Sequence, residues 1–327
     1  MRFDFENQTW CYSLQKIRDV PRTDNVIETI LTEIHKLDGA TKKLLEFAAC
    51  IGFRFDISTL KIIANCDIHK MVSRLSNAVY HGFVQRTVSH RPKSEVLEGE
   101  NGNISYQFLH DRIHESFYHS VDDTLKKQLH YQIGKSLLEH YNSQAKSKSL
   151  LFDIVRHLNA ARSTIPSDEE KKALIELNLT AKTLTRSAGN VNHTLDLSVA
   201  CLELLIELYG DEFWYTLHEQ ALDVYSSLCE SYFLLRRYEE SGEHFQIALK
   251  HVYNIEEEAE FSKTLFDLYC VTGQFEKCLD MGIEILNKLG ANFVRGVKVQ
   301  EVFPVYYKEL KGKLGNQSIG SLFDLCT

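Results

Sequence analysis

Between residues 25 and 82 apolar side chains recur every three or four positions, the period of helices with one buried face. In "NVIETILTEIHKL" (25–37) the stripe is Val26, Ile27, Ile30, Leu31, Ile34 and Leu37, with Asn25 in the capping position. "GATKKLLEFAACIG" (39–52) predicts a second helix, capped by Thr41 and stopped at Gly52. "DISTLKIIANC" (56–66) predicts a short third. "DIHKMVSRLSNAVYHG" (67–82) predicts a fourth, burying Met71, Leu75 and Val79 and ending at Gly82. The period then shortens. "FVQRTVS" (83–89) and "ISYQFL" (104–109) read as two strands around a polar loop, "HRPKSEVLEGENGN". Helices followed by a loose-tipped hairpin is the order of a winged helix. At the chain's start, "MRFDFENQTWCY" alternates Phe3, Phe5 and Trp10 with polar residues, like a short strand.

"FLHDRIHESFYHS" (108–120) would close that unit. Its apolar stripe is Phe108, Leu109, Ile113, Phe117 and Val121. Three histidines invite a zinc reading, but a zinc-peptidase helix needs His-Glu-x-x-His. Tyr118 stands where the second histidine belongs, and His119 lies about 140° round the helix from His114. His110 and His114 share a face, yet two ligands make half a site. A half-exposed structural helix is the stronger reading, with His110 and Asp111 as candidates to bridge this unit to the helices after it.

From residue 122 the pattern is almost all helical. "DDTLKKQLHYQIGKSLLEHY" opens with acidic residues that suit the helix dipole. Its Gly134-Lys135-Ser136 resembles the end of a phosphate loop, but Leu129 occupies the position of the first glycine. Leu129, Ile133, Leu137 and Leu138 continue one face straight through it. "LLFDIVRHLNAAR" (150–162) carries Asp153 and His157 at helical spacing, which reads as a surface pair. Ser167 is placed to cap "EEKKALIELNLTAKTLTRSAG", and "HTLDLSVACLELLIELYG" follows.

Two later segments align at an offset of 37 residues: "YSSLCESYFLLRRYEESGEHFQIALK" from Tyr225 and "SKTLFDLYCVTGQFEKCLDMGIEILN" from Ser262. Each has a Leu and a Tyr one turn apart (Leu228/Tyr232, Leu265/Tyr269), then an aromatic (Tyr238, Phe275) and a small residue (Ser241, Cys278). This resembles the tetratricopeptide repeat, in which the small residue lets paired helices approach and the aromatic fills the hinge. Ala181, Ala188 and Ala200 hint at one more copy upstream. Cys229 and Phe266 depart from the pattern where a small residue is usual, and Gly282 departs where an aromatic is usual. The fold class expected is mainly α: a winged-helix unit with a small β-hairpin, then a TPR-like α-solenoid.

Composition narrows the classes. The 327 residues are too many for one small core, and only 4 prolines and 16 glycines suit long helices with short turns. A net charge of −8 gives no support to a general nucleic-acid or membrane binder. Eight scattered cysteines without a C-x-x-C pair read as reduced thiols of a cytoplasmic protein. No signal peptide or apolar run of about 18 residues is present.

The order of "TDNVIETILTEIHKL", "LLEFAACIGFRFDISTL", "FLHDRIHESFYHSV", "LHYQIGKSLL", "LFDIVRHLN" and "LNLTAKTLTRSA" resembles the middle region of large bacterial signalling proteins. Those proteins carry a STAND-class, AAA-type predicted ATPase, often with a serine/threonine kinase domain before it and GAF and histidine-kinase domains after it. The resemblance implies a remnant of the ATPase-module end at 1–24, a winged-helix-like domain at 25–121 and a TPR-like repeat domain at 122–327. No G-x-x-x-x-G-K-[ST], H-R-D or D-F-G motif occurs, so the family's ATPase and kinase activities do not carry over. The implied function is a non-catalytic regulatory, protein-interaction module, a fragment or split part of a larger protein. No catalytic residue, cofactor or metal is expected. The implied partner is a protein, such as an ATPase or kinase domain in trans, with Glu230, Arg236, Arg237 and His244 as candidate contacts. Leu322, Phe323 and Leu325 are candidates for an uncapped apolar end of the solenoid. The alternative is a winged-helix DNA-binding regulator. Its helix 67–82 offers only Lys70 and Arg74 beside Asp67, and in its loop His90, Arg91 and Lys93 face Glu95, Glu98 and Glu100.

Overall fold

The structure is a computed structural model that describes residues 2–4, 9–11, 34, 36–88, 104–143, 147–293, 295–296, 303–304, 307–309 and 311–312. The loop 90–103 and the C-terminal candidates Leu322, Phe323 and Leu325 lie outside these residues. So does most of the helix expected at 25–37, of which Ile34 and Leu37 are described and buried. The chain forms two compact units, Met1–Ala181 and Lys182–Thr327. The boundary expected after residue 121 falls inside the first.

The first unit is mainly helical and carries two small antiparallel sheets. Strands β1 (Arg2–Asp4) and β2 (Thr9–Cys11) pair antiparallel, with Phe3 opposite Trp10. Helices α1 (Gly39–Ile51), α2 (Ile57–Ala64) and α3 (Ile68–Tyr80) follow, with strand β3 (Arg54–Asp56) between the first two. Strands β4 (Val84–Val88) and β5 (Ile104–Phe108) then complete a three-stranded antiparallel sheet in the order β3-β5-β4. Strand β3 was hidden in the sequence, because three residues are too few to display alternation. Its last residue does two jobs: the Asp56 carboxylate also caps α2, accepting from the Thr59 N–H at 2.7 Å.

The cap of α1 is Asp38, correcting the expectation of Thr41. Asp38 Oδ1 accepts from the Ala40 and Thr41 N–H groups at 3.0 and 2.9 Å. Thr41 is itself buried and turns its hydroxyl onto the same carboxylate. On α3, Met71 and Leu75 are buried as expected, but Ala78 completes the face and Val79 stands 40% exposed. The small Ala78 sits where the chain turns back, its carbonyl accepting from the Phe83 N–H at 3.0 Å.

Helix α4 (Asp111–Ser120) buries Ile113 and Phe117. Phe117 lies among Phe83 and Phe108, with ring centroids 5.7 and 6.2 Å away. Helix α5 (Asp123–Ser143) pairs with α6 (Lys148–Ala160). Gly134 sits in the middle of α5, where a Cβ would meet Leu158 Cδ2 at 2.6 Å and Cγ at 2.8 Å. The "GKS" stretch therefore serves a close helix crossing, with Leu129, Ile133 and Leu137 buried on either side. Ser167 caps α7 (Asp168–Ser187), its hydroxyl accepting from the Glu170 N–H at 3.2 Å.

The second unit is built of helical hairpins: α8 (Val191–Tyr209), a short α9 (Phe213–Thr216), α10 (His218–Leu234), α11 (Tyr238–Leu249), α12 (Ile255–Val271) and α13 (Phe275–Lys288). The 37-residue offset holds bond for bond. Helices α10 and α12 begin and end at equivalent residues. The Arg237 N–H bonds to the Tyr232 carbonyl as Gln274 does to Tyr269, each at 2.8 Å. Arg236 and Gly273 take the same left-handed turn conformation, φ 62° and 72°. The Ser241 hydroxyl donates to the Cys229 carbonyl at 2.8 Å, and Cys278 Sγ lies 3.9 Å from the equivalent Phe266 carbonyl. The turn after α7 repeats this pattern. The Asn190 N–H bonds to the Thr185 carbonyl at 2.9 Å, and Gly189 has φ 71°. This supplies the upstream copy, with Thr194 in the place of Ser241.

The departures in the repeat compensate one another. The first copy pairs a small Cys229 with a large buried Phe245; the second pairs a large Phe266 with Gly282. A Cβ on Gly282 would lie 3.1 Å from the Phe266 ring. Bulk has changed sides across the hairpin while the space is conserved. One expectation fails here. Tyr238 packs against Phe233 at 5.8 Å, but its equivalent Phe275 is 65% exposed. The residue equivalent to Phe233 is Cys270, too small to hold the ring.

Candidate functional site

Two polar constellations stand out, one in each unit. In the first, α1, α4, α5 and α6 bring together Tyr118, His130, Arg156 and His157. Both histidines are buried, at 5% and 1% exposure. His130 Nδ1 lies 2.8 Å from His157 Nδ1, and Tyr118 Oη lies 3.1 Å from His130 Nε2. Arg156 Nη2 lies 3.0 Å from His157 Nε2 and donates to the Ile51 carbonyl at 2.9 Å.

The donor inventory fixes the direction of this chain. A guanidinium only donates, so His157 Nε2 accepts and its Nδ1 carries the proton. His130 Nδ1 must then accept, leaving its Nε2–H to donate to the Tyr118 oxygen. Both rings are neutral in this arrangement. Burial, with the charges of Arg156 and Lys126 nearby, holds the His130 pKa down to about 4. His114 is also pulled below its usual range, chiefly by burial, and its Nε2 lies 3.0 Å from the Ala49 carbonyl.

This relay joins α4 to α5 and α6. The expected bridging residues, His110 and Asp111, are instead exposed at the start of α4. The expected surface pair of Asp153 and His157 is also corrected: Asp153 pairs with Arg156 at 3.3 Å, while His157 turns inward. The overlooked sequence signal was that His130 and His157 fall on the apolar stripes of their helices, beside Ile133 and Ile154. A histidine on a buried stripe needs polar partners there.

In the second unit, α11 and α12 enclose an open groove of about 1170 Å³ that includes Arg236, Arg237, Glu239, Glu243, Leu268 and Tyr269 among its lining. Arg237 is held in place, stacked 4.6 Å over the Tyr232 ring and paired with Glu240 at 2.8 Å. Arg236 is exposed and has no ion pair among the described residues. The other two expected contacts face elsewhere. Glu230 pairs with Arg186 at 2.6 Å. His244 is tucked within its own hairpin, with Nδ1 2.8 Å from the Glu240 carbonyl and its ring 5.1 Å from Tyr232.

One turn before Arg186 on α7 lies Lys182, which sequence reading passed over. It is 1% exposed and donates to the Asp223 carboxylate, to the Asp223 carbonyl at 3.2 Å and to Ser227 Oγ at 3.2 Å. Burial lowers its pKa, against the pull of Asp223. All three of its protons have acceptors, so it reads as a structural ammonium. Among the described residues no group of three or more His, Cys, Asp or Glu side chains is arranged to hold a metal ion. No helix among them is long and apolar enough to cross a membrane.

No family model matches the chain. Hybrid signal transduction histidine kinase G of Dictyostelium discoideum is 23% identical over 368 residues, an alignment covering 98% of this chain and 11% of that protein. The chain therefore spans 11% of the length of this curated relative. Among solved structures, a signal transduction ATPase with numerous domains and a tetratricopeptide repeat sensor, from Pyrococcus horikoshii, aligns at a TM-score of 0.34 and 13% identity. That alignment covers 82% of this chain and 41% of the other.

Proposed function

We propose that this chain is a regulatory, protein-interaction segment of a signal-transduction protein and performs no chemistry of its own. The observation that carries the reading is the groove on the 37-residue hairpins, with a held Arg237 at its edge and an Arg236 that has no ion pair among the described residues. Helical hairpins in register present a continuous surface suited to another chain. The similarity of nearly the whole chain to a segment of a signal transduction histidine kinase supports the signalling context. The partner in this reading is a protein, such as an ATPase or kinase domain acting in trans or elsewhere in a longer polypeptide.

The finer architecture belongs to the same proposal. Three helices, a strand between the first two, and the sheet order β3-β5-β4 support a winged-helix reading of residues 25–121. The hairpins support a TPR-like reading of the later helices, and residues 1–24 are read as the end of an ATPase module. The relay of Tyr118, His130 and His157 would then fix the winged unit to α5 and α6 as one lever. The DNA-binding alternative has less to stand on. Arg74, one of two cations on α3, directs Nη1 at Cys66 Sγ at 3.4 Å, and His90, Arg91 and Lys93 lie outside the described residues.

The test uses the purified chain as bait, with bound proteins identified and ATP hydrolysis assayed in parallel. Capture of a nucleotide-binding or kinase protein, with no turnover by the chain alone, is the expected outcome. Robust turnover, or salt-sensitive DNA binding in place of protein capture, would overturn the reading.

A further inference from the structure

Cys50, Cys201 and Cys229 are buried, while Cys66 is half-buried beside Arg74. Burial pushes the Cys50 and Cys229 thiols up to about 12, which keeps them protonated and unreactive. Cys270 and Cys278 differ in their access to solvent, although partial burial and the neighbouring Cys270 push the Cys278 thiol up as well. Cys270 is exposed near the end of α12, and Cys278 is half-buried in the first turns of α13. Their sulfurs are 3.6 Å apart. The turn between the two helices is closed by the Gln274 N–H, which donates to the Tyr269 carbonyl at 2.8 Å.

The repeat makes the pairing more telling. Cys278 stands where the first copy has Ser241, and Cys270 where it has Phe233. The first hairpin is held at this point by an aromatic contact between Phe233 and Tyr238. The second has lost that contact and carries two adjacent thiols instead. We propose that Cys270 and Cys278 are a reversible disulfide site that staples α12 to α13 when a peroxide reaches the exposed thiol.

The chemistry balances with the peroxide as oxidant. The Cys270 thiolate attacks one peroxide oxygen, breaking the O–O bond, and becomes a sulfenic acid as the other oxygen leaves as water once protonated. Cys278 then gives up its proton and attacks the Cys270 sulfur. The S–OH bond breaks, the second water leaves, and the S–S bond forms. Two thiols are oxidised and one peroxide is reduced to two waters. From 3.6 Å the sulfurs need a shift of about 1.5 Å to reach bonding distance. A short turn between two helix ends can supply that movement. Helix α12 also lines the groove, so the staple stiffens one of its walls.

The test treats the full chain with hydrogen peroxide and maps its peptides without reduction. A Cys270–Cys278 cross-link that dithiothreitol reverses is the expected result, with Cys50, Cys201 and Cys229 alkylated only after unfolding. The melting midpoint of the oxidised chain should rise, and Cys278→Ser should fold normally, as Ser241 does in the first copy, but lose both the cross-link and the rise. Oxidation of Cys270 to sulfinic acid without a cross-link, or preferential pairing with another cysteine, would overturn the proposal. Because this readout involves no partner, it is independent of the interaction reading.

Discussion

The relay of the first unit and the groove of the second treat polar side chains in opposite ways. Around His130 and His157 each ring nitrogen has an assigned partner, and both side chains are almost fully buried. At the groove Arg236 is exposed without an ion pair among the described residues, and only Arg237 is fixed. A satisfied buried network specifies one arrangement of its helices. Charges left open at a concave surface keep their capacity to bind. The contrast teaches that the buried histidine cluster joins helices, while the sparser polar edge of the groove is the candidate for contact.

The largest effect that sharpens this contrast concerns pH. His130 has a folded pKa of about 4 against an ordinary value of 6.5, so the unfolded chain binds more protons between those values. Stability supplied by the neutral ring is therefore full above about pH 6.5 and lost as pH falls towards 4, by up to about 3 kcal/mol. Protonation would set two N–H groups against each other at the 2.8 Å contact with His157. His130→Asn keeps an acceptor near the Nδ1 position and removes the titration. Denaturant melts across this window should be steep for the parent chain and flatter for the variant. Parallel slopes would mean that the relay is not titrating.

A second, somewhat smaller effect tests the buried ammonium of the second unit, Lys182. Asp223→Ala leaves the Lys182 ammonium buried without its counter-charge. Because Asp223 is half-exposed, the cost is discounted to about 2 kcal/mol. Lys182→Met should be milder, since it removes the charge that needs a partner. Equal losses in the two variants would show that Asp223 matters for packing alone.

The smallest of these effects probes the exchange of bulk between repeats. Gly282→Phe alone should cost about 1 kcal/mol by overpacking against Phe266, the low end for overpacking because both positions are only half-buried. Adding Phe266→Cys recreates the Cys229/Phe245 arrangement of the first copy and should recover most of that loss. Simple additivity in the double-mutant cycle would show that the two positions do not compensate.

How much of this was legible in the sequence depended on what periodicity can carry. The helices at 39–52 and 67–82, the strands ending at Val88 and Phe108, and the 37-residue offset were all readable, because each repeats a local rule over many residues. Residues decided by tertiary packing were less visible. The choice of Ala78 over Val79 depends on a small rotation of α3, and β3 forms only because β5 is there to receive it. Asp38 outcompetes Thr41 because a carboxylate one turn earlier reaches two backbone N–H groups at once. Of the candidate site residues, Arg236 and Arg237 do line a groove. Glu230 and His244 do not, because a cation on α7 and a carbonyl on α11 claim them first. His130 and His157 went unnoticed as a pair because they are 27 residues apart and meet only when α5 and α6 cross at Gly134.

The most direct test of the account is a matched capture experiment with Arg236→Glu and Glu230→Gln, two single charge changes on the same hairpin. Bait chains carrying each would be compared with the parent for the nucleotide-binding or kinase proteins they retain, after confirming equal melting midpoints. Loss of the captured protein with Arg236→Glu and its retention with Glu230→Gln is the predicted result. Retention by both, or loss with Glu230→Gln alone, would contradict the assignment of the groove as the contact surface.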